Sequence, residues 1–167
     1  LDVFKTKGTY WKFFKPHYYL DLGHPPAAEY FVGTVDGELV CHLAVMPLFT
    51  ANAYRASRLV VMPEWQGAGV GTAFLNYVMQ YHLDGKGRKE RKLHTFFHTS
   101  RPQLANYLRN SSKWAQTGAK LYGANKIRSI KSIEKTGKKG GITGCGYGGH
   151  FRAIQAFKYL GKNEKTI

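Results

Sequence analysis

Leu59-Val60-Val61-Met62-Pro63-Glu64-Trp65-Gln66-Gly67-Ala68-Gly69-Val70-Gly71-Thr72 is the stretch from which the fold follows. Leu59-Val60-Val61 is an apolar, β-branched run and reads as a buried strand, which Pro63 ends because proline cannot donate to a central ladder. Three glycines follow at alternate positions, and then an apolar helical face through Val70, Phe74, Leu75, Tyr77 and Val78. A strand, a glycine turn and a helix N-terminus together make an anion site. Backbone N–H groups can approach a ligand closely there, and the helix dipole favours negative charge.

The spacing excludes two common nucleotide loops. A dinucleotide fingerprint needs G-x-G-x-x-G, whereas these glycines run Gly67-x-Gly69-x-Gly71. A P-loop needs Gly-Lys-Ser/Thr, and this turn has no lysine. Gln-x-x-Gly-x-Gly, formed here by Gln66, Gly69 and Gly71, resembles the acetyl-CoA pyrophosphate loop of the GNAT N-acetyltransferase superfamily. That resemblance implies an α/β (α+β) GNAT fold: a mixed central sheet with one splayed strand pair, flanked by helices. It implies acetyl-CoA as cofactor, with Leu59, Val60 and Val61 on the pantetheine and acyl carbonyl, and Gln66, Gly67, Ala68, Gly69, Val70, Gly71 and Thr72 at the pyrophosphate.

The flanking segments fit that order. Glu29–Val35 and Glu38–Met46 are β-rich runs joined by Asp36-Gly37, a strong hairpin signal, and Tyr54–Met62 completes a three-stranded meander. The helix from Val70 should reach about His82 and stop at Asp84-Gly-Lys-Gly. Leu93–His98 reads as a strand that, in a GNAT fold, splays from Leu59–Val61. Ser100 is the expected cap of a second helix, with Pro102 inside its start and Leu104, Tyr107 and Leu108 toward the core. Trp114–Tyr122 and His150–Leu160 are the remaining strand candidates. The aromatic-rich segment 4–22 suggests a short amphipathic helix up to Pro16. The whole chain, 1–167, reads as one domain with a basic decoration at about 111–149.

Acyl transfer to an amine needs a proton donor for the departing thiolate. The resemblance implies a tyrosine on the helix after the splayed strand. Tyr107 fills that place, seven residues beyond Ser100 where the family often has Asn; packing is the alternative role. A phenol is protonated at neutral pH, which suits it as an acid. His42, in mid-strand near the expected cleft, is a candidate for the catalytic set, and so are Tyr147 and His150. Glu64 is a further candidate for the base, and His98, at the end of the splayed strand, is a candidate on the same footing as His42 and His150. Histidines on separate strands could also gather a metal, but their spacing does not support one, and none is expected.

The chain carries 25 Lys/Arg against 10 Asp/Glu over 167 residues, a formal charge of +15. Between Gly85 and Gly140 lie fifteen Lys/Arg and two acids, Glu90 and Glu134. Concentrated charge of one sign predicts a polyanion partner, with Lys120, Lys126, Arg128, Lys131, Lys138 and Lys139 as nucleic-acid contacts, DNA favoured over tRNA. Gly146-Tyr147-Gly-Gly-His150-Phe-Arg152, together with Ser57-Arg58, also resembles the phage Mom-type branch of the superfamily. That likeness implies modification of the adenine N6 amine of DNA, in evasion of restriction, with Tyr147 and His150 lining a base pocket. The alternatives are a tRNA- or protein-amine acetyltransferase and a non-catalytic nucleic-acid-binding module. Two cysteines make no disulfide framework and no apolar stretch approaches ~18 residues, so a cytoplasmic protein of a bacterial cell is expected, with no membrane partner. The oligomeric state is left open, a homodimer included.

Overall fold

The computed structural model describes residues 1–19, 23–25, 27–48, 51–120 and 153–161. Seven strands form one sheet in the order β1-β2-β3-β4-β5-β7-β6. They are β1 (Asp2–Thr6), β2 (Glu29–Val35), β3 (Glu38–Leu48), β4 (Ala53–Val61), β5 (Thr95–Thr99), β6 (Trp114–Lys120) and β7 (Ile154–Tyr159). Three α-helices accompany them: the single turn α1 (Trp11–Phe14), α2 (Val70–Leu83) and α3 (Pro102–Asn110).

The β2–β3 hairpin closes where Val35 faces Glu38. Asp36 (φ 50°) and Gly37 (φ 85°) both take the left-handed region, the type I′ geometry that matches strand twist. β4 continues the antiparallel meander and then pairs in parallel with β5. That ladder has three pairs, from Tyr54–Thr95 to Ala56–Phe97. β4 runs on to Val61 and β5 to Thr99, so the two strands part and open the sheet between them.

α2 and α3 cover one face of the sheet. Phe74, Leu75, Val78 and Met79 of α2 and Ala105 and Leu108 of α3 pack on Phe31, Leu43, Tyr54, Ala56 and Phe157. The other face is covered by α1, whose Trp11 and Phe14 pack on Val32 and Val60. Strand alternation therefore aims Tyr54 and Ala56 toward α2 and α3, and Arg55 toward the α1 side.

Three points differ from expectation. Segment 4–22 carries the expected short helix up to Pro16, as α1 flanked by 3-10 turns at Gly8–Tyr10 and Lys15–His17, but ahead of it lies an edge strand that was not expected, Asp2–Thr6 on β2. Its apolar residues are too few, and Phe4 is too exposed, for strand alternation to show in sequence. Ser100 is not the cap of α3, whose N-cap is Arg101; the Arg101 amide instead donates to Thr99 Oγ1 at 3.1 Å. Tyr107 does not join the core that Ala105 and Leu108 enter.

A buried polar cluster ties the first strands to α2. Glu29, 8 % exposed, accepts from Lys5 Nζ, from His82 Nε2 (3.1 Å) and from the Arg88 amide (3.0 Å), while His82 Nδ1 donates to Val78 O at 2.8 Å. Burial alone would raise the Glu29 carboxyl, but the bonds from His82, Lys5 and Arg88 outweigh it and bring the group down to about 2. The folded state thus binds fewer protons than the unfolded chain between the ordinary 4.5 and about 2. This contribution is complete above that window and is lost as pH falls through it. Glu29→Gln should cost about 1–3 kcal/mol at neutral pH and flatten the acid limb of a denaturation profile below pH ~4.5. An unchanged limb would remove Glu29 as its source.

Candidate active site

The parting of β4 and β5 opens into one cavity of about 1280 Å3, larger than the ~300–1,000 Å3 of most small-molecule pockets. Its wall on the α2–α3 side begins at the glycine turn. Gly67 (φ 88°) and Gly69 (φ 76°) take left-handed backbone, and Gly69 is the N-cap of α2. No side chain caps that end and no acid lies in the first turn, so the first helical N–H groups are open to an anion. The Ala73 amide closes the first helical bond to Gly69 O at 3.0 Å, and Thr72 Oγ1 donates to the same carbonyl at 2.8 Å. Gln66 Nε2 donates to Val61 O at 2.9 Å, tying the turn to the strand it follows. A Cβ on Gly71 would lie 2.6 Å from Val61 Cγ2, so the turn is packed directly on the end of β4.

Leu59, Val60 and Val61 line the cavity beyond the last β4–β5 pair, with the edge of β4 turned to it. Opposite stands Tyr107 of α3. Asn76 Nδ2 on α2 donates to the Tyr107 hydroxyl at 2.9 Å, and Trp114 Nε1 donates to Asn76 Oδ1 at 2.8 Å. The relay fixes the amide orientation. It fills an acceptor site of the phenol oxygen and leaves the phenol's own proton for another partner. Asn76 was not legible as a site residue, since nothing in the sequence pairs it with a tyrosine 31 positions on.

His42 does not line the cavity. It is fully buried between Trp11, Phe14 and Tyr30, with ring centroids 5.1, 5.3 and 6.2 Å away. Burial holds its imidazole down at about 4. Its Nδ1 donates to Arg58 O at 3.1 Å, and Nε2 has no partner. That carbonyl belongs to a β-bulge: Ser57 and Val60 face Ala44 and His42, so Arg58 and Leu59 oppose Leu43 alone. Arg58 has φ 59°, the left-handed backbone that bulges of the G1 type give to a glycine. The expected place of His42 near the reacting groups is therefore corrected to one beneath the bulge.

The folded state prefers neutral His42, and the unfolded chain binds the extra proton between the ordinary 6.5 and about 4. Stability from this residue is complete above pH ~6.5 and falls as pH drops through that window. His42→Leu strands the Arg58 carbonyl and should cost about 1–3 kcal/mol at neutral pH. The dependence between pH 6.5 and 4 should shrink in a urea titration series; an unaltered slope would count against this source.

Tyr147, His150, Lys126, Arg128, Lys131, Lys138 and Lys139 lie outside the described residues. Glu64 is exposed in the Pro63–Trp65 turn and does not line the cavity. His98 does line it. Arg55 Nη2 donates to His98 Nδ1 at 3.3 Å, which leaves the ring proton on Nε2. Burial, then the charges of Arg55 and Lys120, push His98 down to about 4. His94 faces elsewhere, with Nδ1 donating to Tyr159 O at 2.9 Å. Among the described residues, no group of three His, Cys, Asp or Glu could hold a metal, and no helix is long and apolar enough to cross a membrane.

An uncapped glycine turn at a helix start, a strand edge opened by splaying and a cavity joining them fit a long thioester with a pyrophosphate near one end. Together they define an acyl-CoA-dependent transferase. Residues 26–122 match the family model described as an acetyltransferase (GNAT) domain, and the chain belongs to that family.

Solved structures agree on the fold. The spermidine N-acetyltransferase of Vibrio cholerae, a point mutant, is 12 % identical, with 96 % of this chain and 95 % of that one covered and a TM-score of 0.61. The ribosomal-protein-S18-alanine N-acetyltransferase of Escherichia coli is 10 % identical, with coverage of 99 % and 97 % and a TM-score of 0.61. A GNAT family acetyltransferase from Elizabethkingia anophelis with acetyl-CoA bound is 13 % identical, covering 80 % and 76 %, with a TM-score of 0.52. No curated protein sequence matches the chain. The cofactor is acetyl-CoA.

The nucleic-acid partner expected from charge is corrected by these comparisons. The similar enzymes are named for a polyamine and for the alanine of a ribosomal protein, and they support neither the Mom-type branch nor adenine modification. Of the expected contacts only Lys120 is among the described residues, where it belongs to the cavity wall. A basic run attracts any anion, so charge alone did not specify a polymer.

Proposed function

We propose that this protein transfers the acetyl group of acetyl-CoA to a primary amine of a small molecule, with Tyr107 as the general acid. The observation that carries this reading is the single cavity lined by the glycine turn, the free end of β4 and Tyr107. Acetyl-CoA supplies an activated acyl group and a thiolate leaving group. The chain's own residues do the rest. The amides opening α2 hold an anion, the edge of β4 beyond Ala56 offers backbone groups to an extended arm, and Asn76 keeps the Tyr107 proton available. No carboxylate lines the cavity among the described residues, so the amine enters uncharged or yields its proton to water. The similar spermidine enzyme acts on a polycation; a cavity without carboxylates is poorly suited to one.

Calorimetry with CoA and acetyl-CoA, followed by thiol release over a panel of primary amines, tests this. Saturable acetyl-CoA binding and amine-dependent release are expected. Thioester hydrolysis that no amine accelerates, or absence of CoA binding, would overturn it.

A further inference from the structure

The half of the cavity on the α1 side is built differently from the cofactor half. Arg55 and Arg58 both line it, and among the described residues the partners that hold their guanidinium groups are neutral. Arg58 Nε donates to Gly23 O at 3.2 Å and Nη1 to Ser57 Oγ at 3.1 Å, and the group lies 5.6 Å from the centre of the Tyr18 ring. Arg55 donates to His98. Burial and the nearby Arg58 charge push Arg55 below its ordinary value. Two like charges thus share a half-buried wall that contains no carboxylate among the described residues. A bound anion would relieve that repulsion.

The backbone supports the same reading. Arg58 takes φ 59° in the bulge, where glycine would be unstrained. The buried His42 imidazole clamps its carbonyl from below. Strain retained at a cavity wall, with a buried group to hold it, is a mark of a side chain needed in that place. Nor does the cofactor loop account for the pair. Arg55 points to the α1 face of the sheet and Arg58 lies over the Tyr18 ring, whereas the glycine turn opens α2 on the opposite face.

We infer that Arg55 and Arg58 form an anion-recognition site for the acceptor, so that the acetylated amine belongs to a small molecule that also carries a carboxylate or phosphate. The site rests on the acetyltransferase reading above and names its substrate class. Guanidinium forks match either anion in bidentate fashion, and the exposed ring of Tyr19, 4.6 Å from Tyr18 centre to centre, adds a flat surface beside them for the body of the molecule.

The test is a binding measurement that needs no turnover. The full chain, alone and saturated with CoA, is titrated calorimetrically with two matched pairs. They are N-acetylphenylalanine against its uncharged amide, and O-phosphoethanolamine against ethanolamine. The anionic member of at least one pair should bind about 10–100-fold tighter, and the pair that shows the preference identifies the anion. Arg55→Gln and Arg58→Gly should each abolish the preference while CoA affinity stays within about 3-fold. Arg58→Gly should not lower Tm, because glycine relieves the left-handed strain, and this separates recognition from folding. Equal binding within both pairs, a preference that survives both substitutions, or spermidine binding tighter than either anion would overturn the inference. Because the titrations are also made without CoA, a failure of CoA binding would count against the acetyltransferase reading and leave the anion result standing.

Discussion

Tyr107→Phe is expected to lower kcat by about 10²–10⁴-fold while leaving acetyl-CoA affinity nearly unchanged. The substitution removes one oxygen and its proton and keeps the ring, so any change in packing on α3 is small. The ring is already 38 % exposed, and a core role would have buried it. The Asn76–Tyr107 bond predicts a companion effect of a different kind. Asn76→Ala leaves the phenol present but lets its hydroxyl turn, so kcat should fall less than in Tyr107→Phe, with KM for the amine little altered. In the double variant the two losses should not add, because Asn76 acts through the same hydroxyl. Steady-state kinetics with a saturating amine, alongside CoA calorimetry, decides the matter. Full turnover in Tyr107→Phe would assign the proton to another donor.

Gly71→Val should abolish measurable acetyl-CoA binding, a loss of at least ~100-fold, and lower stability by about 1–3 kcal/mol. An added Cβ would stand 2.6 Å from Val61 Cγ2. Valine at 61 is branched and stiff at χ1, so the end of β4 must move rather than one flexible side chain. That movement displaces both the helix amides and the strand edge proposed to hold the thioester arm. Gly69→Ala probes the same turn by another cause: its φ of 76° strains any side chain, while nothing lies within 4 Å of the added carbon. It should weaken binding less than Gly71→Val does. Were Gly71→Val to bind normally, the anion would have to be held outside this turn.

Much of the fold was legible because it depends on short-range pattern. Asp36-Gly37 between β-rich runs specified a hairpin, and Val70, Phe74, Leu75, Tyr77 and Val78 were read as the apolar face of α2, of which Tyr77 alone is exposed. The glycines after Leu59–Val61 marked the turn that joins β4 to α2. β1 was missed because an edge strand with only a few apolar residues does not alternate strongly, and its partner strand begins 23 residues later. The reading of charge failed for a related reason. A count of lysines and arginines records sign and concentration, whereas the class of partner depends on which charges share a wall and what else lines it.

The sequence by itself therefore determined the GNAT architecture, the glycine turn that opens α2 and the position of Tyr107 on the helix after the splayed strand. Each of these is carried by residues within about one turn of the next. Only the tertiary structure decided that His42 sits beneath the β4 bulge, that Asn76 holds Tyr107, and that Arg55 meets His98 across 43 residues. Those relations arise from strand register and from which face of the sheet each side chain meets. A one-residue bulge at Arg58 changes both, and no local periodicity announces it.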